Sequence, residues 1–90
     1  MLRITIDRDP QAVTLRLEGR LEGPSVALLA DCWSTELARA VGRRLCADLN
    51  SVTFVGPDGN ALLAQMHKDG AEFMARDPMT KAILAEIVGQ

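Results

Sequence analysis

Apolar and polar residues alternate from the start of the chain. Leu2, Ile4 and Ile6 are separated by Arg3, Thr5 and Asp7, a period of two that predicts a half-buried strand. Asp9-Pro10-Gln11 interrupts the pattern and predicts a turn. Val13, Leu15 and Leu17 then alternate with Thr14, Arg16 and Glu18, which predicts a second strand joined to the first as an antiparallel hairpin. Gly19 is expected to end that strand. The period changes after Gly23-Pro24, where proline stands at a first-turn position that needs no amide donor. Val26, Leu29, Ala30, Trp33, Leu37 and Val41 recur at helical spacing, with Asp31, Glu36 and Arg39 between them. This predicts an amphipathic helix closed by Gly42 as a left-handed cap.

Leu45 to Leu49 is a short apolar run with one interior acid, Asp48, and suits a buried parallel strand. Asn50-Ser51 is expected to turn the chain before a further extended stretch, Val52, Phe54 and Val55. Gly56-Pro57-Asp58-Gly59 predicts a type I turn, with proline second and glycine last. Ala61, Leu62, Leu63 and Met66 follow as a helix ending near Gly70, and Ala71 to Ala75 as a short strand. Asp77-Pro78 predicts a helix start, with Asp77 as cap, and Met79, Ala82, Ile83, Glu86 and Ile87 carry that helix to Gly89. The order is β-β-α-β-α-β-α. Strand-helix-strand units imply crossovers, so the expected fold class is α/β, a small mixed sheet with helices packed on it.

Composition narrows the chemistry. Ninety residues, 48% hydrophobic and 24% charged, make one globular domain, residues 1–90. No apolar run approaches the roughly 18 residues of a membrane-spanning helix, and the alternating N-terminus does not read as a signal peptide. A net charge of −2 and 3% aromatic residues argue against nucleic-acid binding, which needs basic clusters and rings for stacking. Each half holds six acids, but seven of the ten Lys/Arg fall in residues 1–45, so a basic partner surface would prefer residues 46–90. Cys32 and Cys46 lack metal-ligand spacing, and a reduced cytoplasmic chain is expected, with Cys46 as a core thiol. His67 has no paired nucleophile in a recognisable motif, and no phosphate-binding glycine loop occurs. The expectation is a protein that is not an enzyme, with no catalytic residue, no metal and no cofactor.

With these residues, the order resembles the STAS domain of bacterial anti-sigma factor antagonists and sulfate-transporter tails. Gly19-Arg20-Leu21-Glu22 stands where the family has a Gly-x-Leu-Asp/Glu corner, and Val26 to Val41 matches its Ala/Leu-rich helix. The family signature runs roughly Asp-Leu-Ser-x-Val-x-Phe-Ile-Asp-Ser-Ser-Gly-Leu. Here the chain reads Asp48-Leu49-Asn50-Ser51-Val52-Thr53-Phe54-Val55-Gly56-Pro57-Asp58-Gly59-Asn60. The match covers nearly the whole chain, and its Asp-Leu-x-x-Val-x-Phe-Val segment is the specific part. Family members commonly continue past the third helix into a further strand and helix. An end at Gln90 would expose sheet surface for a homodimer or a partner.

The resemblance implies a protein-interaction module. In the antagonists, the second serine of Asp-Ser-Ser-Gly is phosphorylated by the partner kinase, which releases or blocks the partner. The matching position here is Asp58, and the family's aspartate and first serine are replaced by Gly56 and Pro57. A switch at the usual serine is therefore not expected. Asp58 carries one negative charge against about −1.5 to −2 for phosphoserine, a permanent, partial imitation of the phosphorylated state. The other reading of Asp58 is a helix cap that accepts a bond from the backbone of Asn60 or Ala61. The expected partner surface comprises Gly56, Pro57, Asp58, Gly59 and Asn60 with the Leu21-Glu22 corner. By resemblance the partner is an anti-sigma factor or related serine kinase. The alternative is the ATPase of a bacterial lipid-transport complex, which some short STAS proteins accompany as accessory subunits.

Overall fold

A computed structural model describes residues 1–76 and 78–88. Four strands and three helices follow in the expected order: β1 (Leu2–Arg8), β2 (Ala12–Leu21), α1 (Pro24–Arg39), β3 (Arg44–Val55), α2 (Pro57–Lys68), β4 (Glu72–Met74) and α3 (Pro78–Val88). The strands form one sheet in the order β1-β2-β3-β4. β1 and β2 are antiparallel, whereas β2–β3 and β3–β4 are parallel, so the sheet is mixed. The hairpin turn is held by Asp9, whose Oδ1 accepts the backbone N–H of Gln11 and Ala12, both at 2.8 Å. Those two bonds hold the Asp9 carboxyl below its ordinary range.

The period-two pattern decides which side of the sheet is covered. Leu2, Val13, Leu15, Leu17, Ala47 and Leu49 are buried in one cluster with residues of all three helices: Leu29 and Trp33 of α1, Leu63 and Met66 of α2, and Ile87 of α3. The helices therefore share one face. Burying each large aliphatic side chain there is worth about 1.5–3 kcal/mol. The other face carries Arg3, Thr5, Asp7, Arg16, Asp48 and Glu72, with Arg16 paired by register to Thr5 on one side and Asp48 on the other. Arg16 Nη2 meets Asp7 Oδ2 at 3.0 Å, and Arg44 Nε meets Glu72 Oε2 at 2.7 Å on this side. Cys46 is buried, as expected of a core thiol, on the strand face that pairs with Thr14 and Glu72 rather than in the main cluster.

Four local expectations change. Strand β2 runs through Gly19 to Leu21, because Gly19 adopts φ 106° and stays paired with Leu2 on one side and Val52 on the other. Asn50-Ser51 does not turn the chain. Arg16 pairs with Asp48 and Glu18 with Ser51, so β3 carries one extra residue there, a bulge within a continuous strand. Asp48 Oδ1 accepts the Asn50 N–H at 2.9 Å across it. The third change is in α1, whose inward line is Leu29, Trp33, Glu36 and Ala40, while Leu37 is 39% and Val41 88% exposed. The helix ends at Arg39 with Ala40 as its cap, and Gly42 (φ 80°) bends the loop beyond it rather than capping it. Lastly, no separate turn precedes α2: Gly56 is the N-cap and Pro57 the first helical residue. The expected cap Asp77 and helix end Gly89 lie outside the described residues.

Glu36 is buried because Arg8 comes to it. Arg8 Nε donates to Glu36 Oε1 at 2.9 Å and Arg8 Nη2 to Oε2 at 3.0 Å, a two-pronged pair across 28 residues of sequence. This hydrogen-bonded pairing pulls the Glu36 carboxyl below its usual range against the opposing effect of burial, and raises the Arg8 guanidinium. A second polar tie joins α1 to the end of α2, where the Trp33 indole N–H donates to Asp69 Oδ2 at 2.9 Å.

Candidate functional site

Strands β2 and β3 end side by side, with Leu21 paired to Val55. Each then enters a helix through a Gly-Pro step. Gly23 (φ 59°) is the N-cap of α1 with Pro24 in its first turn, and Gly56, in extended conformation, is the N-cap of α2 with Pro57 in its first turn. The two helix starts are tied by the Gly56 N–H, which donates to the Leu21 carbonyl at 2.9 Å. Ligands of parallel sheets collect in this region, outside the carboxyl ends of adjacent strands. Neither N-cap makes a side-chain hydrogen bond, so the partial positive charge of both helix ends faces outward uncapped by side chains.

A cleft of about 210 Å³ opens between them, lined by Glu22, Gly23, Phe54, Gly56, Pro57 and Asp58. Asp58 is exposed in the first turn of α2 and does not cap it, so the capping reading is corrected. The reason is register. With the helix already begun at Pro57, Asp58 stands inside it, and the Asn60 N–H donates to the Gly56 carbonyl at 2.9 Å. Gly59 is buried against β2, where an added Cβ would lie 2.6 Å from the Leu21 carbonyl oxygen and 2.7 Å from Leu21 Cγ. Leu21 itself is fully buried. Leu21 and Gly59 thus form the floor that sets the height of α2, while Pro57, Asp58 and the half-buried Glu22 stand at the surface. Asn60 is half-buried, and its Oδ1 is enclosed without a hydrogen-bond partner among the described residues.

The structure adds residues that the periodicity did not single out. Arg20 forms an ion pair with Glu22 and lies over the Phe54 ring, 4.5 Å from its centroid. Phe54 is 39% exposed and forms one wall of the cleft. The signal for this contact was the Gly19-to-Glu22 corner, but Arg20 meets Phe54 only through a register shift between β2 and β3. On the α1 side, an apolar groove of about 520 Å³ continues from Glu22 and Gly23 past Pro24 to Leu2, Leu28 and Met1. The remaining chemistry-bearing groups lie apart from the cleft. His67 is exposed near the other end of α2 and stacks on Phe73 at 6.4 Å, and Cys32 and Cys46 are free thiols. Among the described residues no three His, Cys, Asp or Glu side chains gather as a metal-binding group, and no helix is long and apolar enough to cross a membrane.

Comparison with protein-family models and with curated proteins returns no match. Solved structures do match. An anti-sigma factor antagonist from Mycobacterium paratuberculosis superposes with TM-score 0.82 at 19% identity, over 99% of this chain and 79% of that one. The Bacillus cell fate determinant SpoIIAA in its phosphorylated form gives 0.72 at 14% identity, over 93% of this chain and 82% of that one. Mglu gives 0.63 at 22% identity, over 82% of this chain, which spans only 19% of Mglu. The chain therefore has the STAS fold, the fold of the anti-sigma factor antagonists.

Proposed function

We propose that the protein is a non-enzymatic, cytoplasmic interaction module that binds an anti-sigma factor or related serine kinase through the cleft between α1 and α2. In this reading Asp58 holds the site permanently in part of its phosphorylated-like state, with no phosphorylation at the usual serine position. The observation that carries the reading is Asp58 itself: exposed, uncommitted to capping, and set beside Glu22 where two helix starts meet. Pro57, Glu22 and Asn60 supply the surrounding contacts, Gly56 the close approach, and Leu21 and Gly59 the floor. The fold shared with anti-sigma factor antagonists, one of them described in a phosphorylated form, supports this choice of partner class.

The test is partner capture followed by calorimetry with Asp58→Ser. Removing the fixed charge is expected to strengthen binding to the anti-sigma factor by about tenfold, worth about 1.4 kcal/mol, and the cognate kinase is expected to phosphorylate the new serine. Unchanged or weaker binding, with no phosphorylation, overturns the fixed-state reading. Recovery of a transporter ATPase in place of any anti-sigma factor overturns the partner class.

A further inference from the structure

At the opposite end of β2 and β3, three arginines gather around one carboxylate. A cleft of about 240 Å³ is lined by Arg8, Val13, Glu36, Arg39, Ala40 and Arg43. Each arginine is placed by the backbone. Arg8 is the last residue of β1, paired with Val13. Arg39 closes the last turn of α1. Arg43 follows the bend at Gly42, and its N–H donates to the Ala40 carbonyl at 3.0 Å. The next residue, Arg44, donates its N–H to the Gln11 carbonyl at 3.0 Å, so the loop is pinned on both sides.

The four charges do not balance. Glu36 is 2% exposed, and both its oxygens are engaged by Arg8 Nε and Nη2. That pair fixes the Arg8 guanidinium and leaves its other N–H groups free of Glu36. Arg39 and Arg43 lie close enough to depress the Glu36 carboxyl, yet no ion pair forms from either among the described residues. Asp9 is not part of the lining, but it feels Arg43, and its bonds to the hairpin N–H groups keep it ionised, so it offsets part of that arginine's charge from outside the cleft. Among the lining residues, three guanidiniums against Glu36 leave an excess of two positive charges, which Asp9 offsets only from outside, in a protein whose net charge is −2. The carbonyl end of α1 favours cations gathering here and offsets part of their field.

We infer that this cleft binds a phosphoryl group. A phosphoryl group brings about −1.5 to −2. Guanidinium forks also match its oxygens in paired, near-planar hydrogen bonds. The site lies at the amino ends of β2 and β3, away from the Asp58 cleft, and does not depend on the partner proposed there.

The test is a titration of the full chain, followed by backbone amide NMR, with inorganic phosphate, glycerol phosphate and, at equal ionic strength, sodium chloride. Both phosphates are expected to shift the Arg8, Ala40 and Arg43 amides saturably, where chloride does not. Tighter binding of glycerol phosphate identifies a phosphate ester as the ligand, and equal binding identifies free phosphate. Replacing Arg39→Gln and Arg43→Gln together is expected to weaken binding at least about tenfold. Both residues are exposed, so the melting temperature serves as the check that the fold is kept. Arg16→Gln on the open sheet face is expected to leave binding unchanged. Equal shifts with chloride, wild-type affinity in the double variant, or saturation of these amides by an acidic peptide but by neither phosphate overturns the inference.

Discussion

Gly59 shows how little room the candidate site leaves for error. It is a helical glycine, so the usual argument from backbone freedom does not apply. Its role is spatial: any Cβ meets the Leu21 carbonyl and side chain well inside contact distance. The carbonyl is backbone and cannot turn aside, so α2 has to move. Gly59→Ala is expected to destabilise the fold by about 1–3 kcal/mol, the usual cost of overpacking, and to widen the cleft holding Glu22 and Asp58. Denaturant unfolding measures the first effect, and amide shifts of residues 56–60 report the second. Wild-type stability in the variant would show that the α2 start is free to shift. Asp58, by contrast, is exposed, and its replacement is expected to change recognition far more than stability.

Among the elements, α1 best separates what the pattern of residues reveals from what it conceals. The existence and type of every described element were legible, because the change from period two to helical spacing is sharp at Gly23-Pro24 and again at Gly56-Pro57. The inward face of α1 was not. Hydrophobicity places Leu37 and Val41 inside and Glu36 outside, but the helix ends at Arg39 and its interior line passes through Glu36. Only the arrival of Arg8 from β1 makes that burial tolerable. The same holds for Asn50-Ser51, a turn dipeptide absorbed as a bulge because β2 pairs with β3 both before it and from Ser51 onward. At the site, proline and glycine mark the start of α2. The Gly19-to-Glu22 corner marks where Arg20 sits, but that Arg20 meets Phe54 depends on strand register and is not written locally.

The Arg8–Glu36 pair also gives α1 a pH dependence. The Glu36 carboxyl is held lower in the folded protein than in the unfolded chain. The folded state therefore gains stability above the ordinary glutamate value, and that gain fades as the pH falls through and below it. Arg8 stays charged throughout, since its guanidinium is raised. Glu36→Gln is expected to flatten the stability profile below about pH 4.3, measured by urea unfolding at stepped pH. A profile parallel to that of the wild type would show that the pair does not distinguish the two states. Asp9 and Glu72, also held low, act in the same direction and account for the slope that remains.

For the whole molecule, the sheet has one dry side and one wet side. All three helices share a single cluster with the inner face of the strands, so no element has an independent core. Unfolding is expected to be one cooperative step. Leu15, fully buried on the central strand β2, tests this directly. Leu15→Ala is expected to cost about 2–5 kcal/mol while far-ultraviolet dichroism and fluorescence still lose structure together. Divergent transitions would mean that part of the sheet survives without the helices. The fluorescence in that experiment comes from a single place. The chain has one tryptophan and no tyrosine, and Trp33 is buried with its indole N–H on Asp69, where α1 meets the end of α2. The protein therefore carries its own optical gauge of helix docking. The colour of its emission reads the α1–α2 seam without any attached dye, from a position that leaves both clefts untouched.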